Sequence, residues 1–435
     1  MNSQATAAIE AVARRVVDAP SHYVQAVSEM AGHHEVHAAR DIVSASGVKL
    51  IARGARVDAS LQRKLAGHRL SGVTLEESLL IADGVTAESL AADVGRLIDN
   101  DAWYQRLARC SGDAHGIRHV MSRLKLPREV LFRLTVARDQ RHDLYHHLVG
   151  TALICHYLAF RAGLKPAQVE AVTIAGLCHD FGELHTDPAV LAPSHRVTEE
   201  ELRFIYVHPI TGWLIVRDLP GMMPKSVRAI LQHHERLDGS GYPYGCKDGQ
   251  IGIGGRILAA ADVSEAIMAR FRDHRRLSTL LRLNNRKYDE RIVNLLHDAM
   301  PAEAPVSARF ERATLLAQLR AVASVLEGLA AVRALRPLAQ SEPGVFLNER
   351  VFNLRTVVLQ FGFDPDSLEL PLQLAEEDET IAAELTAALD ELQFQFRELG
   401  REFDRRAPDW LRVLDPESAT VLTDWRQKLA DCIAG

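Results

Sequence analysis

Imidazole and carboxylate side chains recur through the middle of this 435-residue chain, within or beside apolar helical segments. These residues are Asp143, His147, His179, Asp180, His208, His233, His234 and Asp262. An unpaired polar side chain is costly among apolar neighbours, so the set needs a shared explanation. Nitrogen and oxygen donors without thiolates suit iron or manganese, and suit zinc or nickel less well. The set is larger than a single zinc ion requires, so the sequence predicts a site for two metal ions, or for three.

The spacing of these residues indicates which elements would position them. Asp143 and His147 are four residues apart in a helical segment, so one face of that helix carries both. His179 and Asp180 follow the apolar stretch AGLC, and the two oxygens of an aspartate can bridge two cations. A histidine doublet ends an amphipathic helix directly before the turn GSGYP, where Tyr242 is available to contact a ligand.

Several of these residues also have simpler structural explanations. Asp143 could be a surface carboxylate at the start of a helix, and His147 could be a core histidine with satisfied hydrogen bonds. Asp262 could cap a helix or form a salt bridge. An adjacent histidine and aspartate are weak evidence alone, because such pairs occur by chance in many chains. The full set favours the metal site.

The order of these residues, together with the segment HHERLDGSGYP, resembles the HD-GYP subgroup of the HD phosphohydrolase superfamily. The resemblance covers about residues 142–296. It implies an all-helical HD-type phosphohydrolase core with a bi- or trinuclear iron or manganese centre. It also implies an enzyme, a metal-dependent phosphodiesterase that opens cyclic di-GMP to linear pGpG, and in some members on to GMP. The nucleophile expected for such a centre is a metal-bridging hydroxide.

The resemblance also implies a role for individual residues. The metal ligands would be His147, His179, Asp180, His208, His233, His234 and Asp262, with Asp143 where many members have glutamate. We predict His179 and Asp180 as catalytic residues, together with Glu183, which departs from the family pattern. The residues that contact the substrate would be Tyr242, Arg270 and Arg272.

Three departures from the family pattern bear on substrate choice. Glu183 stands where the family has the lysine of its HDxGK motif, which helps to hold substrate phosphate. A carboxylate there would repel a dianionic substrate unless it turns away, binds a cation or serves as a further metal ligand. The family's arginine-containing segment is shortened to ARFRDHRR, which leaves Arg270 and Arg272 in a shifted register. Asp143 is one methylene shorter than glutamate, which weakens the expectation of a third ion.

Three other functions stay open at this point. The chain could be a phosphohydrolase for another cyclic dinucleotide or phosphoester, as the departure at Glu183 would allow. It could be a non-catalytic signalling scaffold that binds nucleotide or metal, although the complete set of donors disfavours this. An HD-type di-iron oxygenase would share the ligands and would not need the GYP loop.

Composition limits the partners and the location. Lys and Arg number 51 against 57 Asp and Glu, and this net charge of −6 disfavours a duplex nucleic-acid partner. We expect no membrane segment, because the sequence shows no apolar run near the roughly 20 residues that a membrane helix needs. No signal peptide is recognisable, so a cytoplasmic location is predicted. The five cysteines form no CxxC pair and are expected to be reduced.

The predicted fold is mainly α. Helical spacing of apolar residues dominates the chain, whereas DIVSASG and GVKLIARG predict a pair of short strands near the N-terminus. The expected organisation is a small N-terminal α/β accessory domain at residues 1–85, a helical connector at 86–141, the HD-type core at 142–300 and a helical C-terminal extension at 301–435.

A stripe of large apolar residues marks the C-terminal extension. Its members are Leu385, Leu389, Leu392, Phe396, Leu399 and Phe403. Alternating four- and three-residue steps are typical of a coiled-coil seam. The stripe therefore either packs on the core of its own domain or pairs with another chain, which would be a homodimer partner or a signalling partner.

Overall fold

The computed structural model describes residues 3–18, 21–58, 60, 65, 74–111, 114–190, 199–272, 274–284, 286–300, 312–348, 350–351, 375–376 and 379–434. The chain forms two compact units. The first unit comprises Met1–Arg272 and Arg286–Met300, and the second comprises Asp273–Asn285 and Pro301–Gly435. Helices predominate, which confirms the predicted mainly helical fold with few strands. The domain boundaries expected near residues 85, 141 and 300 stay predictions.

The first unit begins with two helices and a set of short strands. The helices are α1 (Ser3–Asp18) and α2 (Ser21–His33), and the strands are β1 (Val36–Ala38), β2 (Ile42–Val43), β3 (Lys49–Ile51), β4 (Arg56–Val57) and β5 (Leu79–Ile81). β1 lies between β4 and β5 and is antiparallel to both. β2 pairs with β3, which is the strand pair that the sequence predicts.

Short helices, three of which begin at a side-chain cap, connect this region to the core. They are α3 (Leu75–Ser78), α4 (Ala87–Asn100), α5 (Ala102–Cys110), α6 (Ala114–Ser122) and α7 (Arg128–Gln140). The hydroxyl of Thr86 accepts a hydrogen bond from the backbone N–H of Ser89 at 3.1 Å and begins α4. The carboxylate of Asp101 begins α5 by accepting from the N–H of Trp103 at 2.8 Å. These caps satisfy backbone donors that a helix leaves unpaired at its start.

A buried helix, α8, forms the centre of the first unit. The remaining elements of this unit are α8 (His142–Arg161), α9 (Pro166–Cys178), a first 3-10 turn (Phe181–His185), α10 (Glu199–Val216), α11 (Pro224–Gln232), a second 3-10 turn (Asp248–Gln250), α12 (Ile253–Phe271) and α14 (Glu290–Ala299). Every residue of α8 from Leu148 to Ala159 is buried. A helix that is apolar on all sides belongs in a core, and α9 and α12 pack on α8.

The second unit is a helical assembly with its own apolar core. Its described helices are α13 (His274–Leu283), α15 (Arg312–Ala334), α16 (Arg336–Gln340), α17 (Glu379–Val413) and α18 (Pro416–Ala434). The predicted stripe of α17, from Leu385 to Phe403, is buried in this core together with Trp425 of α18. Within the described residues, this stripe therefore packs on its own unit, and its pairing with another chain stays a prediction.

One described helix is long and apolar enough to cross a membrane. It covers Ala313–Ala334, with a mean hydropathy of 1.5 in its most apolar window. This corrects the expectation that no apolar run approaches that length. Half of the window is buried inside the protein, and a core helix of a soluble protein meets the same criterion.

Candidate metal centre

The elements around α8 bring the predicted metal ligands from five parts of the chain into one centre. His147 lies in the second turn of α8, and Asp262 lies on α12. His179 and Asp180 follow the last turn of α9, and His208 lies in the middle of α10. The doublet of His233 and His234 follows α11.

Within the described residues, these side chains form two clusters that could each hold an ion. The first cluster consists of Asp180, His208, His233 and His234, and the second consists of His147, His179 and Asp262. The potential ligand atoms of each cluster lie within 4.8 Å of one another. Five of these seven side chains are buried and His147 and His234 are half-buried, so the donors converge in a confined space rather than on an open surface.

Four of the five imidazoles meet through the same ring atom, Nε2. The Nε2 atoms of His147 and His179 are 3.1 Å apart, and those of His208 and His233 are also 3.1 Å apart. Three Nδ1 atoms donate instead to backbone carbonyls three residues earlier: His179 to Gly176 at 2.9 Å, His208 to Ile205 at 2.6 Å and His233 to Ile230 at 2.7 Å. These hydrogen bonds orient the rings so that each Nε2 faces inward, as a metal ligand requires.

Asp180 lies between the two clusters and faces both. Its Oδ2 is 3.2 Å from Nε2 of His179 and 3.5 Å from Nε2 of His147. Its Oδ1 is 3.2 Å from Nε2 of His208 and 3.4 Å from Nε2 of His233. One carboxylate thus offers one oxygen to each group of imidazoles.

The chemistry of these donors fits divalent metal ions. Oδ1 of Asp180 is buried and has no hydrogen-bond partner, although an isolated buried carboxylate oxygen is costly. Imidazole nitrogens and carboxylate oxygens together suit iron, manganese and zinc. A pair of cations would satisfy both the orphaned oxygen and the facing nitrogen lone pairs.

The pKa values show which groups are already in the form that binds a metal. Burial alone would raise the pKa of Asp180 and of Asp262, but hydrogen bonds and charge from the surrounding imidazoles hold both well below the usual value. Burial lowers the pKa of His233 and lowers that of His234 further. These carboxylates are therefore ionised and these imidazoles neutral, as coordination requires.

Two imidazoles of the second cluster differ, because carboxylates surround them. Burial lowers the pKa of His147, but the charge of Glu265 and hydrogen bonds to Asp180 and Asp262 outweigh it and raise the pKa well above the ordinary value. For His179, Asp180 outweighs burial and raises the pKa to about 10. Metal binding at this cluster therefore has to displace protons.

Glu265, a buried acidic residue that was not predicted from the sequence, contacts the ring nitrogen of His147 that faces away from the cluster. The Nδ1 of His147 donates to Oε2 of Glu265, and the hydroxyl of Tyr104 donates to Oε1 of Glu265 at 3.1 Å. A carboxylate on the far ring nitrogen orients a ligating histidine and increases its basicity. Glu265 lies three residues after Asp262 on an apolar helix, and this spacing on one helix face was the available signal.

Glu183 lies in the first 3-10 turn, three residues after Asp180. It is half-buried and belongs to neither cluster among the described residues. Burial, and then the charge of Asp180, raise its pKa to about 7. Gly182 precedes it and packs against the backbone of His208, where a Cβ would overlap the carbonyl oxygen. This close approach holds the turn against α10.

The other predicted site residues lie at the edge of the centre or outside it. Asp143 is exposed in the first turn of α8 and belongs to neither described cluster. Arg270 and Arg272 are exposed at the end of α12, which Arg272 terminates with a φ of 49°. The ligand role of Asp143 and the substrate-binding roles of the two arginines stay predictions.

The glycine-rich loop forms one wall of the centre. The ring of Tyr242 stacks on His234, with 4.6 Å between centroids and 27° between planes. Gly241 lies so close to the backbone of His234 that a Cβ would overlap it. The carboxylate of Glu235 accepts from the N–H groups of Tyr244 at 2.8 Å and Cys246 at 2.7 Å. The loop is thereby folded back onto the histidine doublet.

Known proteins resemble the central part of this chain. Residues 133–292 match the family model of the HD domain. The chain is 29% identical over 206 residues to cyclic di-GMP phosphodiesterase PA4108 of Pseudomonas aeruginosa, covering 46% of this chain and 48% of that protein. It is 35% identical over 123 residues to 3′3′-cGAMP-specific phosphodiesterase 1 of Vibrio cholerae, covering 28% of each.

One solved structure is also similar. It is Bd1817, an HDG"Y"P protein from Bdellovibrio bacteriovorus, with 16% identity and a TM-score of 0.35 over 62% of this chain and 96% of that one. The chain spans about half the length, or less, of the curated relatives named above. The matched HD domain contains all members of both clusters. Residues 133–292 therefore carry an HD domain, and the similarities of this part of the chain support an HD-GYP-type phosphohydrolase.

Proposed function

We propose that this protein is a metal-dependent phosphodiesterase that hydrolyses cyclic di-GMP to linear pGpG, to GMP, or to both. The observation that carries the proposal is the position of Asp180, with one oxygen toward each group of imidazoles. Such an arrangement suits two neighbouring cations, and paired cations are used by many enzymes that cleave phosphate esters. Several curated relatives are named cyclic di-GMP phosphodiesterases, which supports this substrate.

Each cluster would hold one ion. His208, His233 and His234 would bind the first and His147, His179 and Asp262 the second, with Asp180 between them. Bound divalent ions supply Lewis acidity, which lowers the pKa of water and offsets the negative charge that develops on a phosphoryl group. Hydrogen bonds at Nδ1 keep four of these imidazoles oriented during turnover, those of His147, His179, His208 and His233.

The mixed nitrogen and oxygen donors favour iron or manganese as the metal. Two ions match the two clusters. A third ion would need further donors, for which the exposed Asp143, one helical turn before His147, is the predicted candidate. The test is metal analysis of protein purified without added metal and of protein loaded with Fe²⁺ or Mn²⁺ in the absence of oxygen. It measures which metal ions are bound and how many there are per chain.

A different cyclic dinucleotide is the second candidate substrate. One relative is named as specific for 3′3′-cGAMP, and Glu183 changes the charge beside the centre relative to the family lysine. Tyr242 lies on His234 and so is placed to contact a bound base or sugar. Arg270 and Arg272 are the proposed cations for the substrate phosphates. A non-catalytic scaffold or a di-iron oxygenase would use the same donors without hydrolysing either dinucleotide.

The test is product analysis after incubation with cyclic di-GMP and, separately, with 3′3′-cGAMP. The protein is loaded with Mn²⁺ or Fe²⁺ without oxygen, and products are separated by chromatography. The inactive comparison is Asp180→Asn, which removes the charge between the clusters. The matched control is Asp218→Asn, because the Asp218 side chain is 81% exposed and belongs to neither cluster.

We expect wild-type protein and Asp218→Asn to form pGpG or GMP when metal is bound. Asp180→Asn is expected to form neither product. Faster hydrolysis of 3′3′-cGAMP would assign the second substrate. No hydrolysis of either dinucleotide, with two ions bound, would reject the phosphodiesterase. Consumption of O₂ by the iron-loaded protein would then support the oxygenase.

We also propose that the protein acts in the cytoplasm and that the second unit mediates self-association or binding of a signalling partner. The cytoplasmic location rests on the solubility of the proposed substrate. Exposed Phe394 on α17, 53% accessible, is a candidate contact for such a partner. Sedimentation of wild-type protein and of Phe394→Glu tests self-association.

A further inference from the structure

A buried ion pair lies behind the first 3-10 turn, outside both clusters. Arg133 of α7 pairs with Glu76 of α3, and their side chains are 7% and 3% exposed. Removing each charge from water costs several kcal/mol, so such a pair is weak evidence for stability. The pair also constrains the geometry of its neighbours.

The guanidinium of Arg133 also binds the end of the first 3-10 turn. Nη1 of Arg133 donates to Nε2 of His185 at 3.1 Å. The guanidinium is always charged and can only donate, so His185 accepts as a neutral imidazole. Burial, and then the charge of Arg133, lower the pKa of His185, in agreement with this neutral form.

An aromatic ring from the N-terminal region completes the contact. Cζ of Arg133 lies 4.3 Å from the ring centroid of Tyr23 on α2. The rings of Tyr23 and His185 are stacked, with centroids 5.0 Å apart and planes 17° apart. Three helices, α2, α3 and α7, therefore hold one imidazole of the turn.

The first 3-10 turn links this imidazole to the metal centre. The N–H of Glu183 donates to the carbonyl of Asp180 at 2.9 Å, and the N–H of Thr186 donates to the carbonyl of Glu183 at 3.0 Å. Gly182 lies against the backbone of His208, which limits sideways movement. A shift of His185 would therefore be transmitted to Asp180, whose two oxygens must face different clusters.

We propose that Glu76, Arg133 and Tyr23 are positioning residues that hold His185 and thereby set Asp180 between the two clusters. The N-terminal helices α2 and α3 then control metal affinity, although neither carries a member of a cluster. This inference rests on the proposed metal-dependent function, because the position of Asp180 matters to function through the ions it would bind.

The experiment compares three histidine variants. His185→Leu removes the acceptor for Arg133, whereas His185→Gln keeps an acceptor at a similar reach. The matched control is His156→Leu, since His156 is another buried histidine of the first unit and belongs to neither cluster. For each variant, the melting temperature is measured without metal, the Mn²⁺ affinity by competition with a coloured chelator, and kcat and KM with cyclic di-GMP.

His185→Leu is expected to weaken Mn²⁺ binding about tenfold and to lower kcat with little change in KM. His185→Gln is expected to restore most of the affinity, and His156→Leu to lower only the melting temperature. Equal Mn²⁺ affinity in His185→Leu and wild-type protein would overturn the inference. If His185→Leu fails to fold, Glu76→Gln takes its place, because this substitution preserves volume. Equal Mn²⁺ affinity in Glu76→Gln and wild-type protein would then overturn the inference. If wild-type protein binds Mn²⁺ but does not hydrolyse the dinucleotide, the proposed function is rejected. The comparison of Mn²⁺ affinities would still decide whether His185 positions Asp180.

Discussion

Replacing Glu265 with glutamine is expected to weaken metal binding at the cluster of His147, His179 and Asp262. Glu265 is 3% exposed and accepts hydrogen bonds from His147 and from the Tyr104 hydroxyl. A hydrogen bond to a charged group contributes about 1.5–3 kcal/mol, compared with about 0.5–1.5 kcal/mol for a neutral one. The difference of about 1–2 kcal/mol corresponds to roughly a 5- to 30-fold loss of affinity.

The same substitution should change the pH dependence of binding in a defined direction. Burial lowers the pKa of His147, and the charge of Glu265 makes the largest contribution that raises it. A metal ion must displace the proton that His147 holds, so the wild-type affinity falls as the pH is lowered. In Glu265→Gln the pKa of His147 falls, and the affinity therefore decreases less steeply toward acid.

Calorimetric Mn²⁺ titrations at several pH values between about 6 and 8 measure both effects. Tyr104→Phe is the matched control, because it removes the other hydrogen bond of Glu265 and keeps the carboxylate next to His147. This control is expected to keep the wild-type pH dependence. Wild-type affinity together with wild-type pH dependence in Glu265→Gln would refute the argument.

Four further substitutions test other parts of the centre. Asp180→Asn is expected to weaken the binding of both metal ions, and Asp262→Asn mainly the binding of one, as measured by metal content after dialysis. Loss of a single ion from Asp180→Asn would contradict the position of Asp180 between the clusters. Gly182→Ala is expected to cost at least about 1–3 kcal/mol in thermal unfolding, because a Cβ would overlap the His208 carbonyl. Gly249→Ala, with no atom within 4 Å of its Cβ, is the control, and equal melting temperatures would disprove the overlap. Glu183→Lys is expected to lower the KM for cyclic di-GMP by adding a cation for the phosphates, and an unchanged KM would mean that the side chain points away from the substrate.

Much of this protein could be predicted from the sequence, because local patterns carry the relevant physics. Helical spacing of apolar residues predicted the mainly helical fold, and the β-branched segment around Leu50 predicted the strand pair β2 and β3. The donors of both clusters were all named from their type, order and apolar surroundings. Asp143 has the same chemistry and the expected spacing, yet its side chain is exposed. The sequence did not settle this exposure, because a four-residue step identifies a helix face without saying what that face contacts.

Only the tertiary structure decided how distant segments meet. Oδ1 and Oδ2 of Asp180 face different groups of imidazoles because α8, α10 and α11 surround one end of α9. Glu265 reaches His147 across 118 positions of sequence, and Glu76 reaches Arg133 from another part of the first unit. The sequence by itself predicted which side chains offer donors for a metal ion and where the chain forms helices. The pairing of those faces depends on packing between segments far apart in the chain, and no local pattern encodes it.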